Sequence, residues 1–571
     1  MKLIFSAALL CAAGGALFAQ TPVVNALVNN YSYVAPGLPN YAIAQGAIFD
    51  IFGSNLAGGA MNAPAFPLQT TLNGVTVNVT VSGVTKTALL YYVSPSQIDA
   101  ILPSGTPLGT GQITVTNNGS TSAPAPIIVA QSAFGILTLA NTGLGPAAAF
   151  DAQYNYLGLS NAANPGDTII LWGTGAGPVA DDNVQSATTA PMEVDIGGLA
   201  AKIAYQGRSG YAGLDQLNVV VPAGVSGCYV SVVVRSGNIV SNFSSISVAN
   251  SGRVCSDTST GLYGIFNSSQ LRSLAGKTDF KIGGLGLFKE VISTPALTIG
   301  GVTSPATTET IDTGSASFEH VTLPANYDPY VSAGSANNVA SVGSCSVFTS
   351  STDASSPPPS PAPPAPTPAP AATTVALNAG PFMNVTGPSG QKQMPFKNGA
   401  YSAQLGGGAG PAASPVFIPA TGGTFTFDNG AGGPDLGPFS VHFPLNPVVF
   451  TNTNALATVN RSQDMTVTWT GGDQDAFVDI GGASYNSIGG RLLTGSFNCT
   501  APAPAGKFTV PAAVLLALPP TGSLSIGGIT VPLSTFLSLA NFSVKTDLTL
   551  PGLDLTLGYT MSIGLVSTTF Q

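Results

Sequence analysis

The feature that most constrains this fold is an internal repeat, offset by about 120 residues. The stretch YYVSPSQIDAILPSG begins at Tyr91, and YAGLDQLNVVVPAGV begins at Tyr211. Three residues recur at a constant separation of 119: Gln97, Pro103 and Gly105 return as Gln216, Pro222 and Gly224. Two stretches that share a Gln, a hydrophobic run and Pro-x-Gly in one order predict two equivalent structural units.

Each repeat has the pattern of short strands joined by glycine turns. VTVNVTV, from Val75, alternates apolar and polar residues with the period of a half-buried strand. Several such strands within about 100 residues predict an immunoglobulin-like β-sandwich. IILWG, from Ile169, alternates weakly, and we expect it to run through a core.

The recurring Gln and Pro-x-Gly positions favour an architectural interpretation. Proline has no N–H for a sheet ladder, so Pro103 and Pro222 are expected to end strands. The glycine two residues after each proline suits a turn. We expect the side chains of Gln97 and Gln216 to be buried and bonded to backbone groups of their own repeat.

Three stretches resemble the Solibacter uncharacterised C-terminal domain family: YYVSPSQIDAILP, GPAAAFDAQYNYLGLSNAANPGDTIILWGTGAG and GLDQLNVVVPAGVSGCYVSVVVRSGNIVSNFSSISVA. The resemblance covers about residues 33–249. It implies a secreted bacterial protein with tandem immunoglobulin-like, or TIG-like, β-sandwich units. It implies no established activity and supplies no catalytic residues. In the family this unit usually lies at the C-terminus, whereas here more than 300 residues follow it.

Charge limits the class of partner. Charged residues make up 7% of the chain and the formal net charge is −9, whereas charged residues are roughly 25% of average globular proteins. The sequence has no basic stripe that could displace the counterions of phosphates, so nucleic acid is excluded as a partner. A surface built from Ser, Thr, Asn, Gln and Gly suits a protein outside the cytoplasm.

The N-terminus predicts export. MKLIFSAALLCAAGGALFAQ contains Lys2, an apolar run and small residues ending at Ala19, the pattern of a signal peptide over residues 1–19. No later stretch has the roughly 18 continuous apolar residues of a membrane helix. We therefore expect no membrane span after signal cleavage, and a secreted or cell-surface location.

The cysteines after the signal number four: Cys228, Cys255, Cys345 and Cys499. An even number in an oxidising compartment predicts disulfides, and four cysteines allow three connectivities. We favour Cys228–Cys255 with Cys345–Cys499. A zinc site is disfavoured, because no CxxC spacing exists and only His320 and His442 are available.

The chain as a whole is predicted to be all-β, with tandem immunoglobulin-like sandwiches followed by a second β-rich region. The predicted segments are a signal peptide (1–19), a first immunoglobulin-like unit (20–130), a second (131–255), a β-rich segment packing on the C-terminal domain (256–350), a proline-rich spacer (351–373) and a C-terminal β-sandwich domain (374–571). The spacer contains PPPSPAPPAPTPAP, a composition that favours polyproline II.

Few motifs indicate chemistry. The sequence has no G-x-S-x-G elbow and no P-loop lysine, and both histidines lie in strand patterns, so we expect no catalytic residues and no cofactor. GGDQDAFVDIGG offers Asp473, Asp475 and Asp479 as candidate oxygen ligands for Ca²⁺. A second acidic turn, ADDN, spans residues 180–183. Acidic turns between strands are also common without a metal.

Tyrosines give the only other hint of a binding site. Six of them gather near predicted loops and strand ends: Tyr91, Tyr92, Tyr154, Tyr156, Tyr205 and Tyr211. Rings on the rim of a sandwich stack on sugars or anchor a protein partner, whereas the competing interpretation makes them core or cross-strand residues. The candidate binding residues are Tyr91, Tyr92, Tyr205 and Tyr211.

These features predict an exported, non-catalytic β-sandwich protein of the cell surface or extracellular space. It would act in adhesion, envelope architecture or recognition, with an unknown protein or polysaccharide as its partner. Two alternatives stay open: a carbohydrate-binding module array, and a secreted hydrolase that uses carboxylates. The hydrolase would draw on the aspartate cluster or on the glutamates Glu193, Glu290, Glu309 and Glu319.

Overall fold

The predicted all-β class is confirmed. The computed structural model describes residues 21–256, 272–274, 276–294, 297–299, 302–304, 307–324, 342–353, 372–408, 413–474, 476–526, 529–533, 535–545 and 548–571. Strands dominate them, and the helical segments include the α-helix α1 (Ala512–Leu516) and the 3-10 helices Thr453–Leu456 and Ala503–Ala505. The predicted signal peptide, residues 354–371 of the predicted spacer, and Asp475 lie outside the described residues.

The first repeat folds into two facing sheets. Its strands are β1 (Val23–Asn29), β2 (Ile43–Ala44), β3 (Ile48–Ser54), β4 (Met61–Asn62), β5 (Val75–Val81), β6 (Val84–Thr87), β7 (Leu89–Val93), β8 (Gln97–Ile101), β9 (Gly109–Asn117), β10 (Ser120–Thr121) and β11 (Ala125–Ala130). One sheet has the order β1-β3-β8-β7-β4, and the other has the order β2-β11-β9-β5-β6 with β10 beside β9. The apolar residues of β5 alternate into the shared core, as the period of two predicts.

The second repeat is joined through one long strand. Its strands are β12 (Gly135–Ile136), β13 (Ala149–Phe150), β14 (Thr168–Thr174), β15 (Glu193–Ile196), β16 (Leu199–Arg208), β17 (Asp215–Val220), β18 (Gly227–Ser236), β19 (Ile239–Val240) and β20 (Ser244–Val248). The first part of β16 pairs with β15, and the rest pairs with β17. This strand therefore links the two halves of the sandwich.

The two repeats share one strand order. The run β3-β8-β7 corresponds to β14-β17-β16, and the pairings of β9 with β5, β10 and β11 correspond to those of β18 with β15, β19 and β20. The bulges correspond as well, one between Leu90 and Tyr92 and one between Ile203 and Tyr205. The sequence repeat is therefore a repeat of topology.

The C-terminal region is built around a sheet of 13 strands. Its strands and those of the small sheets beside it are β21 (Asp279–Thr294), β22 (Leu297–Ile299), β23 (Val302–Ser304), β24 (Thr307–Thr322), β25 (Cys345–Asp353), β26 (Thr373–Ala376), β27 (Phe382–Gly387), β28 (Gly390–Lys397), β29 (Ala400–Gly408), β30 (Gly423–Asp428), β31 (Ser440–Leu445), β32 (Val448–Phe450), β33 (Thr458–Val459), β34 (Met465–Gly471), β35 (Phe477–Ile488), β36 (Arg491–Pro502), β37 (Lys507–Val510), β38 (Ser523–Ile526), β39 (Ile529–Pro532), β40 (Phe536–Lys545), β41 (Leu555–Ser567) and β42 (Thr569–Phe570).

The segment before the proline-rich stretch lies inside this large sheet. The hairpin β21–β24 sits between β41 and β29, and β25 extends the sheet beyond β36. Strands from both sides of the proline-rich stretch are therefore hydrogen-bonded together. β25 ends at Asp353, so the strand continues three residues into the predicted spacer of 351–373.

Two disulfides staple the chain, in the pairing that the sequence favours. Cys228–Cys255 joins β18 to the end of the second repeat, with Cα atoms 5.3 Å apart. Cys345–Cys499 links a cross-strand pair of β25 and β36, with Cα atoms 4.0 Å apart. Disulfides persist in oxidising compartments, which indicates an extracytoplasmic protein.

A buried ion pair forms the junction between the repeats. Arg208 and Asp215, 0% and 1% exposed, are joined by Nε and Oδ1 at 2.9 Å. The other oxygen of Asp215 accepts the N–H groups of Gly175 and Ala176 at 2.7 and 2.8 Å. Arg208 also donates to the carbonyl of Gly46, in the first repeat, at 2.8 Å. One guanidinium thus binds both repeats.

The acidic turn at 180–183 contributes to the same junction. Asp182 accepts hydrogen bonds from the hydroxyl and the backbone N–H of Ser104 at 2.6 and 2.9 Å. Asn183 accepts the N–H of Leu68 at 3.2 Å. This turn therefore binds groups of the first repeat.

We predict that Arg208→Met destabilises the protein by about 3–5 kcal/mol, because it leaves a buried carboxylate without its cation. Urea unfolding of the purified protein measures the change. The matched control is Arg253→Met, which removes an ion pair with Asp167 whose side chains are 49% and 35% exposed. We expect that control to cost about 0–1 kcal/mol. Equal unfolding midpoints for the two variants would contradict the assigned role of Arg208.

Candidate functional site

The outer face of the second repeat carries aromatic and amide side chains, most of them at least partly exposed. Leu171 belongs to the core, so Trp172, the next residue of β14, faces the other side of the sheet. Cross-strand pairing places Gln216 beside Trp172, and Asn218 beside Tyr205. We call the following side chains the aromatic–amide face: Tyr154, Trp172, Tyr205, Gln216 and Asn218.

Tyr154 supplies the most exposed ring of this face. It is 60% exposed and stacks on Trp172, with ring centroids 6.4 Å apart and an interplanar angle of 28°. Its φ of +62° is uncommon for a residue with a side chain. Asp151 holds the turn, because one carboxylate oxygen accepts the N–H groups of Gln153 and Asn155 at 2.9 and 2.8 Å. The ring is therefore presented by a hydrogen-bonded turn.

Hydrogen bonding keeps the carboxylate of this turn charged. The side chain of Asn155 donates to Asp151, and its backbone adds a second bond. These bonds, the side-chain one first, lower the pKa of Asp151 below its ordinary value. The carboxylate that holds this turn therefore stays ionised to a lower pH than an ordinary aspartate would.

The recurring glutamines are buried, but their partners differ from the prediction. Gln97 and Gln216 are 7% and 9% exposed. Gln216 Nε2 donates to Asn218 Oδ1 at 2.7 Å, and Gln97 Nε2 donates to Asp99 Oδ1 at 2.8 Å. The predicted backbone partner is wrong, because residues two apart on a strand share a face and the nearest acceptor is a side chain.

The equivalent face of the first repeat has acidic chemistry. Phe52 and Gln97 occupy the places of the tryptophan and glutamine, and they are cross-strand partners. Asp50 pairs with Asp99 across β3 and β8, and Tyr92 pairs with Asp99 across β7 and β8. Two carboxyl groups thus lie side by side where the second repeat has an isoleucine and an asparagine.

Burial favours the protonated form of these two carboxyls. Asp50 is fully buried and accepts a hydrogen bond from Asn30. Desolvation, and then the adjacent charge of Asp99, raises the pKa of Asp50 well above its ordinary value. Desolvation also raises the pKa of Asp99. Adjacent carboxyls in a desolvated site cannot both ionise cheaply, so the pair shares a proton.

The sequence-predicted tyrosines lie at separate places. Tyr91 donates its hydroxyl to the carbonyl of Ala212 across the repeat junction, and burial raises its pKa to about 12. Tyr205 donates to the carbonyl of Arg208 at 2.9 Å. Tyr92 is partly buried on β7, while Tyr211 is 64% exposed. Of these four, only Tyr205 lies on the aromatic–amide face.

The predicted calcium ligands are only partly described. Asp473 is buried and accepts a hydrogen bond from Asn446, and Asp479 is a buried residue of β35. In the described part of the chain, no group of three or more His, Cys, Asp or Glu side chains could hold a metal ion. Because Asp475 lies outside that part, the calcium site stays a prediction.

Sequence reasoning missed Trp172, the residue that backs Tyr154. IILWG was expected to run through a core, but only alternate residues of β14 belong to it. The sequence feature that could have indicated Trp172 is the rarity of tryptophan, since the chain has two. The other, Trp469, is 3% exposed and donates its indole N–H to the carbonyl of Ala503.

Comparisons with known proteins add no functional assignment. No family model matches the chain, and no curated protein matches it. Among solved structures, SGBP-B from a complex xyloglucan utilization locus in Bacteroides uniformis is 10% identical, over 67% of this chain and 86% of that chain, with a TM-score of 0.15. Domains 5–6 of the S-layer protein SbsC are 12% identical, over 40% of this chain and 98% of that chain, with a TM-score of 0.14.

A structural genomics protein of unknown function from Bacteroides thetaiotaomicron is also similar. It is 11% identical over 38% of this chain, with a TM-score of 0.14, and the present chain spans 46% of its length. The present chain spans 34% of the length of a gamma-CGTase from Alkalophilic bacillus clarkii. Likenesses at these TM-scores carry no argument about this protein.

The described helices include none that is long and apolar enough to cross a membrane.

We predict that Asp99→Asn weakens the pH dependence of stability. Because the folded pKa values of Asp50 and Asp99 are raised, their contribution is complete below the ordinary carboxyl pKa and is lost as pH rises through the folded values. The wild-type melting temperature should therefore fall as the pH rises above the ordinary carboxyl pKa, and that of the variant should fall less.

The matched control for this measurement is Asp181→Asn, at an exposed turn. It should melt with the pH dependence of the wild type. An Asp99→Asn protein that also keeps the wild-type pH dependence would show that the pair is not a shared-proton site.

Proposed function

We propose that this protein is an exported, non-catalytic recognition protein of the extracellular space or cell surface that binds polysaccharide through the aromatic–amide face. The observation that carries the proposal is the stacked pair Tyr154–Trp172, in which the outer ring is 60% exposed although a built turn holds it in place. Exposed aromatic rings that are held in one conformation are typical of surfaces that bind a ligand or a partner.

The chemistry of the face matches that of a sugar. A pyranose ring has an apolar C–H surface that packs against an aromatic ring, and a rim of hydroxyls that need polar partners. Tyr154 supplies the ring surface, while the partly exposed amide of Asn218, which is hydrogen-bonded to the buried Gln216, supplies polar groups on the same face of the sheet. These side chains carry no charge, which favours a neutral glycan over an ionic ligand.

The face is organised before the ligand arrives. Trp172 backs the ring of Tyr154, and the bonds to Asp151 fix the turn that carries it. The hydrogen bond between Gln216 and Asn218 orients both amides. Side chains that are already ordered lose little conformational entropy on binding, so even a small contact area gives useful affinity.

We predict that Tyr154→Ala and Trp172→Ala each lower polysaccharide affinity at least about tenfold, which corresponds to roughly 1.4 kcal/mol of lost stacking. Affinity electrophoresis of the mature chain in gels containing cellulose derivatives, xyloglucan, xylan, mannan, pectin or soluble chitin derivatives measures this directly. The control is Tyr211→Ala, which removes an equally exposed tyrosine outside the face.

Retardation by none of these polysaccharides would refute the proposal. So would retardation that survives both Tyr154→Ala and Trp172→Ala, because the contact would then lie elsewhere on the protein. Binding lost equally in Tyr211→Ala would place the contact outside the aromatic–amide face.

A further inference from the structure

A cavity of about 300 Å³ lies between the second repeat and the C-terminal region. The turn from β15 to β16 and the strand β18 line one side, while β25, β37 and α1 line the other. The apolar part of the lining includes Val233, Phe243, Phe508 and Val514. Interfaces between domains, with apolar walls and few polar groups, are preferred places for small-molecule binding.

Asp195 is the only charged side chain among the described residues that line this cavity. It is the cross-strand partner of Val233, so both side chains face the cavity side of the sheet. Within the described residues, no hydrogen bond or ion pair joins Asp195 to another group. The nearby Arg235 is engaged instead with Glu193.

The ionised form of Asp195 is therefore destabilised by its surroundings. Burial raises its pKa above the ordinary value, with Arg235 acting in the opposite direction and Glu193 and Asp464 adding to the rise. A desolvated charge without a partner is unfavourable, and a counter-charge in the cavity would remove that penalty.

We propose that this cavity binds a small organic ammonium ion, with its nitrogen at Asp195 and its apolar body against Phe243 and Phe508. Aromatic faces attract cations, and they also give the body of the ligand an apolar contact. A bare metal cation fits poorly, because Ca²⁺ and Mg²⁺ require several oxygen ligands and this lining supplies one carboxylate. This site is independent of the polysaccharide face: β16 contributes Leu199 to the cavity and Tyr205 to the face, but no residue belongs to both sites.

The test uses benzylammonium and its neutral counterpart, benzyl alcohol, in isothermal titration calorimetry with the mature chain. Benzylammonium should bind at least about tenfold more tightly than the alcohol. Asp195→Asn keeps the side-chain shape and should abolish that preference. Asp181→Asn, at an exposed turn outside the lining, should retain it.

A variant at the entrance of the cavity tests whether the ligand binds there, and it leaves the charge of Asp195 unchanged. Leu199 lines the cavity and is 45% exposed, so Leu199→Trp can be accommodated at the surface while it narrows the entrance. Its affinity for both probes should fall. A single-lysine peptide is the third probe: if it binds more tightly than benzylammonium, the natural ammonium belongs to a protein lysine rather than to a free amine.

Three results would overturn the proposal. The first is benzylammonium that shows no saturable binding or binds no better than benzyl alcohol. The second is a folded Asp195→Asn protein that keeps the preference for the cation. The third is unchanged affinity for both probes in Leu199→Trp.

Discussion

The buried pair Arg208–Asp215 is the interaction on which the arrangement of the two repeats depends. A guanidinium has five donors in a fixed planar fork, so its partners must be placed around it with little freedom. Here they come from Asp215 in its own repeat and from the carbonyl of Gly46 in the other. A Cβ atom at Gly46 would lie 2.7 Å from the guanidinium, and the φ of this residue is +75°. The ion pair and the glycine therefore require each other.

The two repeats share one arrangement of strands, but the residues that face outward differ between them. Their outer faces therefore differ in charge and in exposure. The core residues of both sandwiches are mainly aliphatic, as in Val77 and Val232. The outward-facing residues of both repeats include a Gln, an aromatic residue and the Tyr that follows the bulge. The second repeat has Ile170 and Asn218 where the first has Asp50 and Asp99. The first face is consequently a buried acidic pair, and the second is a neutral surface with an exposed ring.

The repeat topology was predictable because it rests on local rules. Alternation gave the strands, Pro222 follows the end of β17, and Gly224 has a φ of +84°. The inward and outward faces of the strands were harder to predict from the sequence. Ile170 and Leu171 are both apolar, so alternation cannot tell which of them packs inward. Ion pairs were harder still. Arg208 and Asp215 lie seven residues apart, but only the pairing of β16 with β17 brings them together.

The scarcity of charge makes an uncommitted carboxylate in this chain informative. Several of the few charges in this chain are committed to structure: Arg208 and Asp215 join the repeats, and Lys289 with Asp312 lies buried in the C-terminal sheet. A partly buried carboxylate such as Asp195, which has no such partner among the described residues, is then a candidate ligand contact. The aromatic–amide face and the cavity lie on opposite outer sides of one sandwich, with its aliphatic core between them. Because the two sites share no residue, we expect a ligand at one site to leave the affinity of the other unchanged.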